Sequence, residues 1–216
     1  MFKRVFLNFG TNVSLNQKSY EAEFSLLKPL NSRKTINVPI GISIASLNLI
    51  HSGNNDNYLY LLKENSSSKN FMYVVSRGLS ISSGLNYSSI NKKFFVEGAI
   101  KLFIPVSTKM TLQLSQVNSS GFESKTYNSD FMKKTNVFAD QQNYIVLNEN
   151  SYDLITGINL GYNIFSVKKT SVFLSLGYNL GWKSMVSGYG IGDFGIQYKT
   201  TNQYYTSLNI GLGIII

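Results

Sequence analysis

The sequence contains no cysteine. Disulfides and thiolate metal sites are therefore excluded, and the absence is compatible with any compartment. Histidine occurs once, at His51. With the carboxylates scattered, no group of residues has metal-ligand spacing, and no cofactor is expected. No apolar run reaches the ~18 residues of a transmembrane helix, and no long stretch has helical apolar spacing. Charged residues make up only 14%, against about a quarter in ordinary soluble domains. A mean hydropathy near zero does not exclude a membrane, because transmembrane strands are apolar on one face only. Met1 to Phe9 carries Lys3 and Arg4 with no apolar stretch behind them, so it is not a signal peptide. Export requires one, and the numbering is expected to begin near a cleavage site.

Strands are what the sequence does contain. In the last third, Tyr152, Leu154, Thr156, Ile158, Leu160, Tyr162 and Ile164 alternate with Asp153, Ile155, Gly157, Asn159, Gly161 and Asn163. Val172, Leu174, Leu176, Tyr178, Leu180 and Trp182 alternate with Phe173, Ser175, Gly177, Asn179, Gly181 and Lys183. Tyr204 to Ile216 repeats the pattern. Side chains alternate faces along a strand, so each segment has one large apolar face and one face mostly of Gly, Asn and Ser. A face in bulk water usually carries Lys, Glu and Thr. Small polar residues suit a crowded polar interior, so the pattern is inside-out, apolar to lipid and polar to lumen.

The same alternation runs through residues 94–106, 78–88, 36–50, 19–28 and 4–14. In 36–50 the apolar phase slips to Leu47 and Leu49, which predicts a bulge. The fold class is thus all-β, an antiparallel up-and-down transmembrane barrel of eight strands in one domain, 1–216. The stretches 29–35, 89–92 and 166–169 read as short turns. Long outer loops are expected at about 51–77, 107–150 and 184–202. This segregation of loop lengths, with both termini at the short side, is the plan of outer-membrane barrels. Within 107–150, Met110, Leu112 and Leu114 alternate with polar residues. They form either a hairpin above the membrane or two further strands, which makes ten strands the alternative. The middle of that loop, Asn118 to Lys134, reads as mobile, and so does Asn54 to Asn70. Gly188-Tyr189-Gly190-Ile191-Gly192 reads as an outer loop rather than a phosphate loop, since no helix follows.

The inward phase collects Arg4, Glu21, Glu23, Glu97, Lys101, Asp153 and Lys183. Buried charge must be paired. Arg4 with Glu21 or Glu23, and Glu97 with Lys101, are the expected pairs of a structural polar plug; a proton or ion path is the sharper alternative. Tyr20, Tyr152, Trp182 and Tyr204 face out near the long-loop end, and Tyr87, Phe94 and Tyr162 near the short-turn end, as two interfacial girdles. His51 adjoins Ser52, and neighbours on a strand point to opposite faces, so the two do not form a catalytic pair. An enzyme is not expected. The net charge of +9 is scattered over loops and turns, with no RNA-binding signature, so no nucleic acid is expected. A soluble lipocalin-like carrier would need apolar residues inside and charge outside, the reverse of what is seen.

The repeats Ile158-Asn159-Leu160-Gly161-Tyr162-Asn163 and Leu174-Ser175-Leu176-Gly177-Tyr178-Asn179 resemble the closing strands of small outer-membrane barrels, the OmpA/OmpX-like group. The bias to Asn, Lys, Ile and Tyr is similar to the PorT-like outer membrane beta-barrel families of Bacteroidota. One departure is the aliphatic end Ile214-Ile215-Ile216, where such barrels usually place an aromatic residue. The resemblance implies an integral outer-membrane protein among lipid and lipopolysaccharide. Its expected work is non-enzymatic, as a structural or accessory subunit of an outer-membrane complex with outer-membrane or periplasmic proteins as partners. A stand-alone barrel binding extracellular ligands through its loops is the alternative, and a rim-site lipid A-modifying enzyme a further one.

Overall fold

A computed structural model of the chain describes residues 2–12, 17–53, 69–118, 121–130, 135–139, 144–149, 151–167, 170–182, 186–191, 197–199 and 206–216. Thirteen strands run in order: β1 Phe2–Asn12, β2 Gln17–Pro29, β3 Ile36–Gly53, β4 Lys69–Ser88, β5 Phe94–Asn118, β6 Gly121–Asp130, β7 Thr135–Ala139, β8 Tyr144–Glu149, β9 Asp153–Val167, β10 Thr170–Gly181, β11 Val186–Ile191, β12 Gln197–Lys199 and β13 Thr206–Ile215. Eight of them close a ring, β1-β2-β3-β4-β5-β9-β10-β13, sealed by the antiparallel β1–β13 pair from Arg4↔Ile215 to Thr11↔Leu208. The eight-stranded reading holds and the ten-stranded alternative does not. β6 to β8 pair beyond the ring and contribute no wall strand.

Alternation explains the ring. Val5, Ile42, Ile44, Ile81, Ile100, Leu160, Leu176 and Ile210 face outward, and Ile44 is 68% exposed. Ser25, Ser43, Ser80, Asn159, Ser175 and Asn209 on the other phase are buried. A soluble barrel would invert this arrangement, so the lipocalin-like reading falls. Antiparallel pairing runs along the strands of the ring, which supplies the backbone hydrogen bonds that hydrocarbon cannot.

β3 carries no bulge. Its register with β2 and β4 is unbroken at Leu47, which pairs with Ser19 and Ser76. Leu47 instead faces inward, buried with Ala45, Val74, Phe103 and Ile155. The predicted slip came from equating inward with polar, whereas this part of the lumen is apolar. The bulges lie elsewhere. Arg77 pairs with Ser107 and Gly78 with Pro105, leaving Val106 as an extra residue in β5. Val172 pairs with Phe165 and Phe173 with Asn163, leaving Ile164 as the extra residue in β9.

At the long-loop end the strands continue past the ring. β5 runs for 25 residues, whereas ~9–11 cross a bilayer. Its far half pairs with β4 on one side and with β6 on the other, from Lys109↔Asp130 to Asn118↔Gly121. A separate four-stranded sheet has the order β12-β11-β8-β7. Three readings of loops are therefore corrected. Residues 121–130, expected to be mobile, form β6. The Gly188–Ile191 part of the glycine-rich segment lies in β11, paired with β8. The connection between β3 and β4 is shorter than 51–77, because β3 reaches Gly53 and β4 starts at Lys69. The rest of the segment Asn54 to Asn70, through residue 68, lies outside the described residues.

Candidate functional site

The lumen is the place where the inward phase brings chemistry together. Arg4 enters from β1. Its Nε donates to Ser25 Oγ at 2.8 Å, and one terminal nitrogen donates to Glu23 Oε1 at 2.9 Å. The guanidinium also forks onto both carboxylate oxygens of Glu97, one of them at 3.0 Å. Asn86 Nδ2 donates to Glu97 at 3.0 Å. Lys101 Nζ reaches Glu21 at 2.7 Å and Glu23 at 3.2 Å, and Ser43 Oγ donates to Glu21 at 2.7 Å. The result is one chain of charge, Glu97–Arg4–Glu23–Lys101–Glu21. Arg4, Glu23, Glu97 and Lys101 are all buried.

The expected Glu97–Lys101 pair is corrected: Glu97 binds Arg4, and Lys101 binds Glu21 and Glu23. The two lie four residues apart on one strand, ~13 Å along it, too far for direct pairing. The Arg4–Glu23 contact is diagonal across the β1–β2 pair, where Arg4 stands opposite Ser25 and Phe6 opposite Glu23. The Arg4–Glu97 contact has a different character. β5 is four strands from β1 in either direction around the ring of eight, so this bridge spans the lumen. Asp153 is buried at the opposite end of β9 from Asn163, paired in register with Phe103. Lys183 lies outside the described residues.

Aromatic rings fill the rest. Phe6, Phe95 and Phe173 form a buried cluster, with Phe6–Phe173 and Phe95–Phe173 centroids at 5.4 and 5.2 Å. They lie over glycines: a Cβ at Gly161 would enter the Phe95 ring, one at Gly213 the Phe173 ring, and one at Gly211 the Phe6 ring. Arg4 lies 5.8 Å from the Phe6 centroid, which joins the aromatic and ionic layers. Beside them, a cavity lined by Glu21, Lys101, Ser19, Ser80, Leu47 and Phe103 among others measures about 20 Å3. That is room for about one water molecule. Sequence reasoning missed the aromatic cluster and the partners Ser25, Ser43 and Asn86. The signal for the cluster was phase: Phe6, Phe95 and Phe173 occupy positions of the small polar face.

On the outer wall, Tyr20, Tyr152 and Trp182 are exposed toward the long-loop end, and Tyr87, Phe94 and Tyr162 toward the short-turn end. Trp182 Nε1 donates to Thr156 Oγ1 at 3.0 Å, and the Phe94 and Tyr162 rings pack at 5.0 Å. Tyr152 and Tyr162 are ten residues apart on one chain segment. At about 3.3 Å per residue and a tilt of ~40°, they stand about 25 Å apart along the barrel axis. Tyr204 lies outside the described residues. His51 lies in β3 opposite Met72, and Ser52 opposite Phe71. Among the described residues no group of three or more His, Cys, Asp or Glu could hold a metal ion.

No family model matches the sequence, and no curated protein does. Among solved structures, the chain is similar to a major outer membrane protein from Thermus thermophilus, at 9% identity and a TM-score of 0.51 over the whole of both chains. It is also similar to Ail, the attachment invasion locus protein of Yersinia pestis, at 11% identity and a TM-score of 0.36, covering 100% of this chain and 96% of that one. The monoaromatic hydrocarbon channel CymD matches at 10% identity and a TM-score of 0.30, covering 99% and 87%. The fold assignment rests on the first of these. Taken with the closed ring of eight strands and its apolar outer belt, that likeness gives the chain the fold of an outer-membrane β-barrel.

Proposed function

We propose that this barrel is a non-enzymatic, non-conducting binding subunit of the outer membrane, which holds a partner envelope protein at its long-loop end as part of a larger complex. The observation that carries this reading is the height of β5. Lys109–Asn118 rises well beyond the span a bilayer requires, and β6 is its last partner among the described residues. The far edge of β6 thus offers a row of backbone donors and acceptors to an extended segment of another chain. The filled lumen supports the non-conducting part, and a single histidine in the whole sequence supports the non-enzymatic part. The buried network of Arg4, Glu21, Glu23, Glu97 and Lys101 acts as a structural plug rather than an ion path. Tyr20, Tyr87, Phe94, Tyr152, Tyr162 and Trp182 act as the interfacial girdles that fix the depth of the barrel among lipid and lipopolysaccharide.

The test is affinity purification from native membranes in mild detergent, for the intact protein and for a variant whose residues 112–127 are replaced by a two-residue Asn-Gly turn. The excision joins Thr111 to Asn128, which already pair. A stoichiometric envelope protein retained by the intact chain and lost by the shortened one is the expected result. Retention of the same partner by both would move the binding surface to the barrel wall. A chain that purifies alone would end the subunit reading.

A further inference from the structure

The turns at the opposite end are built alike. Between β2 and β3, Lys34 N donates to Asn31 O at 3.0 Å; between β4 and β5, Lys92 N donates to Ser89 O at 2.8 Å. In each turn that lysine is left-handed, with φ of 54° and 56°. They are the only non-glycine residues with positive φ among those described. A left-handed residue closing a tight hairpin turn is where glycine is ordinarily used. The side chains of Asn31 and Ser89 also brace the turns. Asn31 Oδ1 accepts from Thr35 N at 2.9 Å, and Ser89 Oγ accepts from Phe94 N at 3.1 Å. A charged side chain is therefore kept twice at a position the backbone would rather give to glycine, which points to use of the charge itself.

The two turns are neighbours, joined by Ser88 N donating to Thr35 O at 2.7 Å. Arg33, Lys34, Lys92 and Lys93 are all exposed on them, and Lys28 and Lys3 are exposed at the adjoining strand ends. Among the described residues no acidic side chain is exposed at this end; Glu97, the nearest in sequence, is buried in the lumen. The same turns also carry large apolar side chains, Leu30 at 57% and Ile90 at 78% exposure. They lie just beyond the outward-facing Tyr87 and Phe94. A turn meant only for water gains nothing from leucine and isoleucine. Cations beside apolar tips, at the rim of a lipid-facing belt, match a phospholipid surface, with phosphate for the charges and the glycerol and upper acyl region for the apolar groups.

We propose that this end is a collar for anionic phospholipid, in which Arg33, Lys34, Lys92 and Lys93 hold headgroup phosphates of the surrounding leaflet. The test is native mass spectrometry of the barrel released from nanodiscs of phosphatidylcholine with phosphatidylglycerol. The wild type is compared with the variant Arg33→Ser, Lys34→Gly, Lys92→Gly, Lys93→Ser. Glycine suits both left-handed positions, so the variant should fold, and heat-modifiable electrophoretic mobility verifies that it has. The wild type should retain phosphatidylglycerol over phosphatidylcholine by roughly fivefold or more, and the variant should lose that preference. Lys34→Gly with Lys92→Gly alone should show an intermediate loss. A wild type without preference, or a variant with the wild-type preference, overturns the proposal. The first of those results would hand the collar to an acidic protein surface.

Discussion

Arg4 meets two of the three carboxylates of the central network, Glu23 and Glu97, from a position that is 2% exposed. Replacing it with methionine keeps most of the volume, strands Glu97 without a cation in an interior with little water, and leaves Glu23 with Lys101 alone. Removing one partner of a buried pair costs about 3–5 kcal/mol. Arg4→Met should lower the unfolding free energy by that order, read by urea titration of the barrel in liposomes. Adding Glu97→Gln should restore more than half of it, because the penalty belongs to the orphaned charge. A single variant within ~1 kcal/mol of wild type would mean that water reaches the site. At this scale the sequence was half legible. Alternation placed Arg4, Glu21, Glu23, Glu97 and Lys101 on the inward face, because period two assigns faces without knowledge of the fold. It did not assign partners. Those depend on where each strand stands around the ring, and the Arg4–Glu97 bridge joins residues 93 apart in sequence.

At the scale of elements, β9 and β13 are glycine-rich on their inner faces because rings from other strands lie on them. Phe95 of β5 stands opposite Gly161 of β9, and Phe173 of β10 opposite Gly213 of β13. Gly161→Val should cost about 1–3 kcal/mol by overpacking. Combining it with Phe95→Ala should give less destabilisation than the sum of the two single changes, since one opens the space the other fills. Additive losses would show that the ring does not occupy the glycine's space. The outer face has its own test. Leu176, in the middle of β10, is outward and exposed, and Leu176→Arg should cost ~2–4 kcal/mol in bilayer assembly. Unimpaired insertion of that variant would contradict the facing of β10. Strand existence and phase were readable throughout the ring, where small polar and large apolar residues alternate. They failed at Leu47, because the apolar stretch of the lumen formed with Phe103 and Ile155 breaks the equation of inward with polar. The fate of Met110 to Leu114 was not locally decidable. A hairpin above the ring and a further wall strand have the same alternation, and only closure of β5 onto β9 from Phe94↔Tyr162 to Phe103↔Asp153 excludes the second.

For the whole molecule the decisive geometry is a ring of eight crossed by its own side chains. Eight strands leave an interior that side chains can fill, and here they fill it in two ways. The ionic chain runs from the β1–β2 wall to β5, while three phenylalanine rings occupy the space over the glycines of β9 and β13. Both features are made by strands far apart in the sequence, so both appear only once the β1–β13 seam has closed. A hydrated ion would have to displace the Arg4–Glu97 bridge, which leaves an uncompensated charge on each side of a low-dielectric lumen. In planar bilayers the wild-type barrel should therefore carry current indistinguishable from the bare membrane. Arg4→Ser with Glu97→Ser removes the bridge without leaving either charge behind, yet the rings of Phe6, Phe95 and Phe173 still block the bore, so this variant should stay closed as well. Only when Phe6→Ala and Phe173→Ala are added should small, flickering conductance appear. Steady, ion-selective steps in the wild type would sink the plug reading and revive the ion path. Conductance from the double serine variant alone would place the whole barrier at the charges and give the aromatic cluster a purely packing role.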